Sequence, residues 1–413
     1  TIRENGTDQT ARTGLNFIDT DAGAGLITDD AANGETEVNL SLYRLEAADH
    51  SHQSTGLQAG QLDHGLALTG LTDDDHTQYL LVSGTRAMTG DLDMGGNDIF
   101  NVRNMYPDPG GRLCLTSATP VHVADAADQT TLYYALYKHD LVPLYDGTNW
   151  DVFRISELSI AMAASVNWAA NSNYDVYIYN DAGTIRLVTG TVWGSDTARA
   201  VGVARINGRW VNNTEQTARY GAASTVTLPV NQGLYVGTIR TTGTAGTTTW
   251  EVGGEGTNGN PVFFYLWNAY NRVLITGMSR EATDTWTYQT ASFRSMNNST
   301  SHRATFIRGL DEDMVSARLD LRGTNGAGGE QPVGSIGLDS ATAAGADVLM
   351  TIGDGATASA GNSGYAAYFG YPGLGLHFLQ ALENVSGVAN AVSFVGDGGG
   401  AIAQSGIAIQ CLA

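Results

Sequence analysis

Residues 141–155 read LVPLYDGTNWDVFRI, two apolar runs on either side of Asp146-Gly147-Thr148-Asn149. Asp-Gly between two such runs is a strong short-range hairpin signal, because glycine accepts the positive φ that a tight turn requires. The spacing predicts strands over 141–145 and 150–155. A second hairpin follows, with residues 174–179 and 184–188 flanking Asn180-Asp181-Ala182-Gly183. Runs at 200–206 and 234–240 then complete enough strands for a β-sandwich domain over 111–252.

Outward from these hairpins the pattern continues. GGEGTNGN at 253–260 reads as a linker or long loop. Beyond it, strands are expected at 262–267, 272–276, 303–308, 314–321, 333–338, 347–352, 374–379 and 392–395, with a closing strand at 405–412. That number and length of strands predicts a jelly-roll-like β domain over 253–413. Composition agrees. With 52 Gly, 8 Pro and 15% charged residues, the chain suits short strands and tight turns rather than long helices. A hydrophobic fraction of 42%, with 18 Tyr and 7 Trp to fill cores, excludes a disordered chain.

A formal charge of −21 repels a phosphate backbone and an anionic membrane surface, so nucleic acid is excluded as a partner. No apolar run approaches the ~18 residues a spanning helix needs, so no membrane insertion is expected. The first thirty residues are polar, acidic and rich in Gly and Thr, unlike a signal peptide. Two cysteines, Cys114 and Cys411, are too few for a disulfide framework and read as buried small hydrophobes.

The amino-terminal third has a thinner texture. Over 1–45, Val38, Leu40 and Leu42 alternate with polar neighbours, and Leu15, Phe17 and Ile18 mark a second strand. Residues 46–110 form a Gly-punctuated connector in which His52, His64 and His76 recur twelve residues apart. Within it, residues 70–104 read GLTDDDHTQYLLVSGTRAMTGDLDMGGNDIFNVRN. The run Asp73-Asp74-Asp75 can cap a short helix over 76–82, since carboxylates accept first-turn N–H groups. From Met88 the pattern turns to period two, with Leu92 and Met94 on one face, and Ile99, Phe100 and Val102 add a second apolar patch. One copy offers these residues nothing to bury against. Symmetric association supplies it, and Leu92, Met94 and Ile99 are the residues expected to set the register between copies.

This segment resembles, closely and in order, a motif of tail-fibre and other adhesion-associated structural proteins of tailed bacteriophages. There an acidic run precedes HTQYLL and then RAMTGDLDMGGN; here the matching residues are 73–81 and 86–97. Residues 1–45 and the stretches LVPLYDGTNWDVFRISELSI and YVGTIRTTGTAGTTTW are similar to segments of the same proteins. The resemblance implies an all-β homotrimer with a fibrous trimeric amino-terminal shaft and a virion-attachment segment at 1–45. It implies partners in other phage tail or virion proteins and in a host surface polysaccharide or protein, and assembly in the host cytoplasm into the virion tail. The function it implies is host attachment. Two alternatives share the modules: a non-adhesive head fibre, capsid decoration or tail collar, and a polysaccharide depolymerase tailspike.

Candidate chemistry is sparse. In a trimer, His50-Ser51-His52 would bring six imidazoles toward the axis, a set suited to a structural transition-metal ion; solvated connector histidines are the plainer reading. No other cofactor is expected. Asp311-Glu312-Asp313 lacks calcium-loop spacing and reads as solvated surface. The seven Trp all fall between 150 and 286, where core packing is the plainer account and sugar stacking the sharper one. No Gly-x-Ser-x-Gly, His-Glu-x-x-His or phosphate-loop motif occurs, Cys114 with His122 or His139 is a poor nucleophile pairing, and no catalytic residue is assigned. No receptor-binding residue is assigned either.

Overall fold

The computed structural model describes residues 106–163, 167–350, 361–400 and 403–413, together with four short strands near the amino terminus. Those four form two antiparallel hairpins, Ile2–Glu4 with Thr7–Gln9 and Ile27–Asp30 with Glu35–Val38, the latter in the register Ile27↔Val38. The alternation expected over Val38–Leu42 thus enters a strand at its first member. The connector up to residue 105, the helix over 76–82, and the residues His50, His52, Leu92, Met94 and Ile99 all lie outside the described residues.

Among the described residues of 106–413 the regular structure is β apart from a three-residue 3-10 turn at Met296–Asn298. The hairpin that opened the reading is present. Leu141–Tyr145 pairs antiparallel with Trp150–Arg154, and the Asp146 carboxylate accepts the N–H groups of Thr148 and Asn149, each at 2.6 Å. Gly147 sits at φ +103°, the conformation for which glycine was required. In the second hairpin, Asn173–Asp181 pairs with Thr184–Val192 through a two-residue turn. Ala182 and Gly183 both have positive φ there, as a turn matched to strand twist demands.

Three large sheets carry the body. In the first, the order is Val203–Ile206, Arg209–Asn212, Leu234–Arg240, Asn173–Asp181, Thr184–Val192, Gln216–Arg219 and Thr225–Leu228, with Leu266–Asn268 also on Leu234–Arg240. The second runs Arg294–Ser295, Gly375–Val385, Arg303–Arg308, Val262–Phe264, Thr248–Glu251 and Ala126–Gln129, with Pro332–Leu338 also on Gly375–Val385. The third runs Gly253–Gly256, Leu274–Glu281, Gly406–Leu412, Val315–Thr324, Gly361–Gly370 and Val348–Met350, and Val392–Val395 joins Val315–Thr324.

The second and third sheets pack face to face as a sandwich. Along Val315–Thr324 burial alternates strictly, with Val315, Ala317, Leu319 and Leu321 inward. A Cβ on Gly334 of the facing sheet would stand 3.2 Å from both Leu319 and Leu321, and one on Gly277 would stand 2.6 Å from Val262. Glycine is what lets the layers approach. Fully buried Trp168, Trp267, Tyr177, Tyr235 and Phe306 fill the interior, each contributing on the order of 1.5–3 kcal/mol by leaving water.

Two expectations change. The boundary at 252 is crossed: Ala126–Gln129 pairs with Thr248–Glu251 in the second sheet, while Leu266–Asn268 returns to the first. The Leu113 N–H donates to Asn268 Oδ1 at 2.7 Å, and Arg112 Nη2 donates to the Ala413 carbonyl at 2.9 Å. The two expected domains therefore share one core. The expected linker GGEGTNGN instead begins with a strand, Gly253–Gly256, parallel to Leu274–Glu281. Its glycines are a packing requirement, because a Cβ on Gly253 would lie 2.5 Å from the Met278 carbonyl oxygen.

Candidate ligand-binding cleft

The hairpin at 141–154 and the strand Asn173–Asp181 leave a small cleft of about 70 Å³ between them. Its apolar floor is built from Leu144, Tyr145, Phe153 and Tyr179. Tyr145 is held by Trp150, with ring centroids 5.3 Å apart and planes tilted by 42°. Burial raises the Tyr179 hydroxyl pKa, with the Asp181 charge adding to it, so the phenol stays protonated and able to donate. The rim is polar. Gln232 Nε2 donates to the Asp146 carbonyl at 2.8 Å and closes one end, while Asn180 Oδ1 accepts the Gly183 N–H at 2.8 Å. Asp151, opposite Leu144 in the hairpin register, is exposed and lines the cleft.

Aromatic faces with amide and carboxylate groups at the rim suit a hydroxyl-rich ligand better than an anionic one. Acid catalysis is a poor fit here. A general acid needs its carboxyl pKa raised toward neutrality, whereas Asp146 is held below the usual carboxylate range by the Asn149 and Thr148 N–H groups.

A second carboxylate cluster lies inside the sandwich, and sequence reading did not find it. Glu281, His302 and Glu383 are all at 0% side-chain exposure. Glu281 contacts His302 Nε2 at 2.7 Å and accepts the Asn297 side-chain amide at 2.8 Å and the N–H groups of Thr283 and Asn258 at 2.8 and 2.9 Å. Glu383 accepts Trp286 Nε1 and Arg294 Nε, both at 2.6 Å, and the Asn297 N–H at 3.2 Å. Burial raises the Glu383 carboxyl despite those donors. Burial also works to raise Glu281, but its hydrogen bonds outweigh that and hold it low. Such a divided pair resembles an acid and a base, yet both carboxylates are sealed from any ligand, so the cluster is structural. The signal available in sequence was only two Glu and a His near strand ends.

Other candidates resolve in the same direction. Asp311 and Glu312 are exposed as expected, Glu312 pairing with Arg272 at 3.0 Å, whereas Asp313 is drawn inward by Arg272 and by Arg308, at 3.1 Å for the latter. Cys114 and Cys411 are free and buried, and burial pushes their thiols up to about 11 and about 12. His122 Nε2 accepts the Leu115 N–H at 2.8 Å, and burial followed by the Arg112 charge lowers its pKa to about 4. A protonated thiol beside an occupied imidazole makes no nucleophile. Trp150, Trp168, Trp193, Trp250 and Trp267 are buried; Trp286 stacks on Phe394 at 5.7 Å, and Arg205 covers Trp210 at 4.3 Å. Among the described residues no cluster of three or more His, Cys, Asp or Glu side chains is placed to hold a metal ion.

No family model and no curated relative matches the chain. Three solved structures are similar at a low level. A BuGH86 variant in complex with neoagarooctaose has 10% identity and TM-score 0.18, over 74% of this chain and 34% of that one. The insecticidal delta-endotoxin Cry8Ea1 from Bacillus thuringiensis has 8% identity and TM-score 0.19, over 73% and 51%. The infectious bursal disease virus Gx strain structure has 14% identity and TM-score 0.16, over 74% and 76%. The chain thus spans about a third and about half of the first two. At these TM-scores the likenesses carry no argument about function.

Proposed function

We propose that the chain is a virion protein of a tailed bacteriophage, a homotrimeric tail fibre or receptor-binding component that attaches the particle to its host. The observation that carries this reading is the ordered motif at 73–81 and 86–97, with its acidic run, HTQYLL and RAMTGDLDMGGN. The amino-terminal segment joins other virion proteins, the connector registers three chains, and the β body reaches outward. In support, residues 106–413 form an all-β body with an open aromatic and polar cleft on its surface. Three weak sites on one particle gain effective concentration without new contacts, which suits a shallow cleft.

Immunogold labelling of intact particles, paired with adsorption assays on a panel of host cells, tests the reading. Tail labelling and blocked infection by the purified protein are expected. Head or collar labelling without blocking would replace it with the non-adhesive alternative, and release of reducing sugar from host polysaccharide would replace it with the depolymerase.

A further inference from the structure

The body of the fold is described from Tyr106 onward, and what holds Tyr106 also touches the cleft. The Tyr106 and Pro107 carbonyls both accept Arg209 Nη2, the latter at 3.2 Å, and the Asp108 carboxylate stands 3.9 Å from the same nitrogen. The Gly110 N–H donates to the Leu141 carbonyl at 3.0 Å, which ties this segment to the first strand of the cleft hairpin. Rings continue the connection. The Tyr106 and Trp150 centroids are 6.4 Å apart with planes tilted by 41°, and Trp150 in turn meets Tyr145 at 5.3 Å. The Arg209 guanidinium lies 5.7 Å from the Tyr106 centroid and 5.6 Å from that of Trp150, within cation–π reach of both. Trp150 and Arg209 are buried, yet among the described residues neither Trp150 Nε1 nor Arg209 Nε has a hydrogen-bond partner. Ring contacts, not a bond at its nitrogen, therefore place the indole.

We propose that Tyr106 and Arg209 are positioning residues of the cleft, holding Trp150 and through it Tyr145 in the floor, an inference that rests on reading the cleft as the receptor contact. Topology supplies the reason. Among the described strands, Leu141–Tyr145 and Trp150–Arg154 pair only with each other, and the opposite wall, Asn173–Asp181, belongs to another sheet. A two-stranded hairpin is marginal on its own in water. No ladder fixes its distance from the opposite wall, so side-chain contacts at its flanks must. Gln232 supplies one, by donating to the Asp146 carbonyl. The other is the Arg209 and Tyr106 contact on Trp150. Both reach back to one strand, since Arg209–Asn212 begins with Arg209 and its Asn212 carbonyl accepts the Asn231 N–H at 2.8 Å, next to Gln232. The floor of the cleft and the segment that follows the connector thus share one aromatic stack.

The test uses the full-length chain. Hydrogen exchange followed by mass spectrometry reads opening segment by segment. In Tyr106→Ala, exchange over 141–155 is expected to rise by about two- to tenfold, the worth of one aromatic pair, while Arg303–Arg308 in the second sheet exchanges as in the unaltered protein. Tyr106→Phe keeps the ring and should match the unaltered protein. Arg209→Lys keeps the charge but loses the planar face that lies on the rings, and should loosen the same segment. A rise shared equally by both segments, or none over the hairpin in either variant, would overturn the assignment. Adsorption to susceptible cells reads the consequence. Tyr106→Ala should bind more weakly and Tyr106→Phe fully, and Tyr106→Ala added to Asp151→Ala should cost less than it costs alone, because both act on one site. If Asp151→Ala weakens adsorption and Tyr106→Ala does not, the cleft reading stands and this assignment falls. If neither weakens it, the cleft reading falls and the positioning role with it.

Discussion

Asp146 and Asp151 stand at the mouth of an open cleft, whereas Glu281 and Glu383 lie at 0% exposure inside the carboxy-terminal sandwich. Both places gather two carboxylates near aromatic rings, and chemistry alone does not separate them. Access to water does. In the cleft, only Asp146 is committed to the fold, through its own turn, and Asp151 remains free to meet a ligand. In the sandwich every carboxylate oxygen is taken, since an unpaired charge there costs far more than its pairing returns. The buried pair should therefore govern stability and the open pair binding.

Breaking the buried member is expected to have the largest effect. Replacing Glu383 with Ala strips the acceptor from Arg294, Trp286 and the Asn297 N–H at once. Loss of about 3 kcal/mol is expected, the low end of the range for orphaning a buried charge because Arg294 keeps some solvent contact. Urea denaturation reads this directly. A midpoint unchanged within error would show that the cluster is not what holds the two sheets together there. Glu383→Gln, which keeps one acceptor, should lose less.

Titration sharpens the same comparison with a smaller effect. Burial lowers the His302 pKa, and Glu281 restores only part of the loss. Glu281 is lowered as well, its hydrogen bonds overcoming burial. A depressed folded-state pKa means the unfolded chain takes the proton more readily. Each group therefore contributes stability above its ordinary pKa, about 6.5 for His and about 4.3 for Glu, and loses it as pH falls through the folded value. Glu383, raised by burial, acts oppositely: its contribution is full at low pH and is lost as pH rises through its folded value. Cooling of the melting temperature on acidification should thus begin below about pH 6.5 through His302 and be partly offset by Glu383. His302→Gln keeps a donor for Glu281 and should flatten the first part of that slope. Identical slopes in the two proteins would contradict the assignment.

Legibility in the sequence followed the range of the interaction. The Asp146-Gly147 hairpin was visible because turn chemistry is local, and the strands at 303–308 and 392–395 were visible because β-branched and aromatic residues cluster in them, Thr305, Phe306 and Ile307 in one and Val392, Phe394 and Val395 in the other. Gly361–Gly370 was not expected: its small residues give no alternation, since Gly and Ala fit either face of a sheet. Gly253–Gly256 was read as a linker for the same reason. Glu281, His302 and Glu383 come together only through pairing between distant strands, and the cleft likewise needs two hairpins and the Gln232 turn brought side by side. No local signal marks either. Arg272 and Arg308 against Asp313 show how one member of a run that looks solvated becomes structural once its partners arrive from about forty residues away and from across the same loop.

The open side of the comparison predicts the smallest change in stability and a large one in attachment. Asp151 is exposed, and its neighbours, Leu144 across the hairpin and Trp150 before it on the same strand, pack without it. Asp151→Ala should therefore alter unfolding free energy by no more than about 0.5 kcal/mol. If the cleft holds the receptor, the same change removes a rim carboxylate that accepts ligand hydroxyls, and in the proposed trimer multivalency would multiply the loss. Adsorption of the purified protein to susceptible cells, measured beside its melting curve, separates the two effects. Weakened adsorption at an unaltered melting temperature is expected. Full adsorption by a variant of unaltered stability would take Asp151 out of the contact.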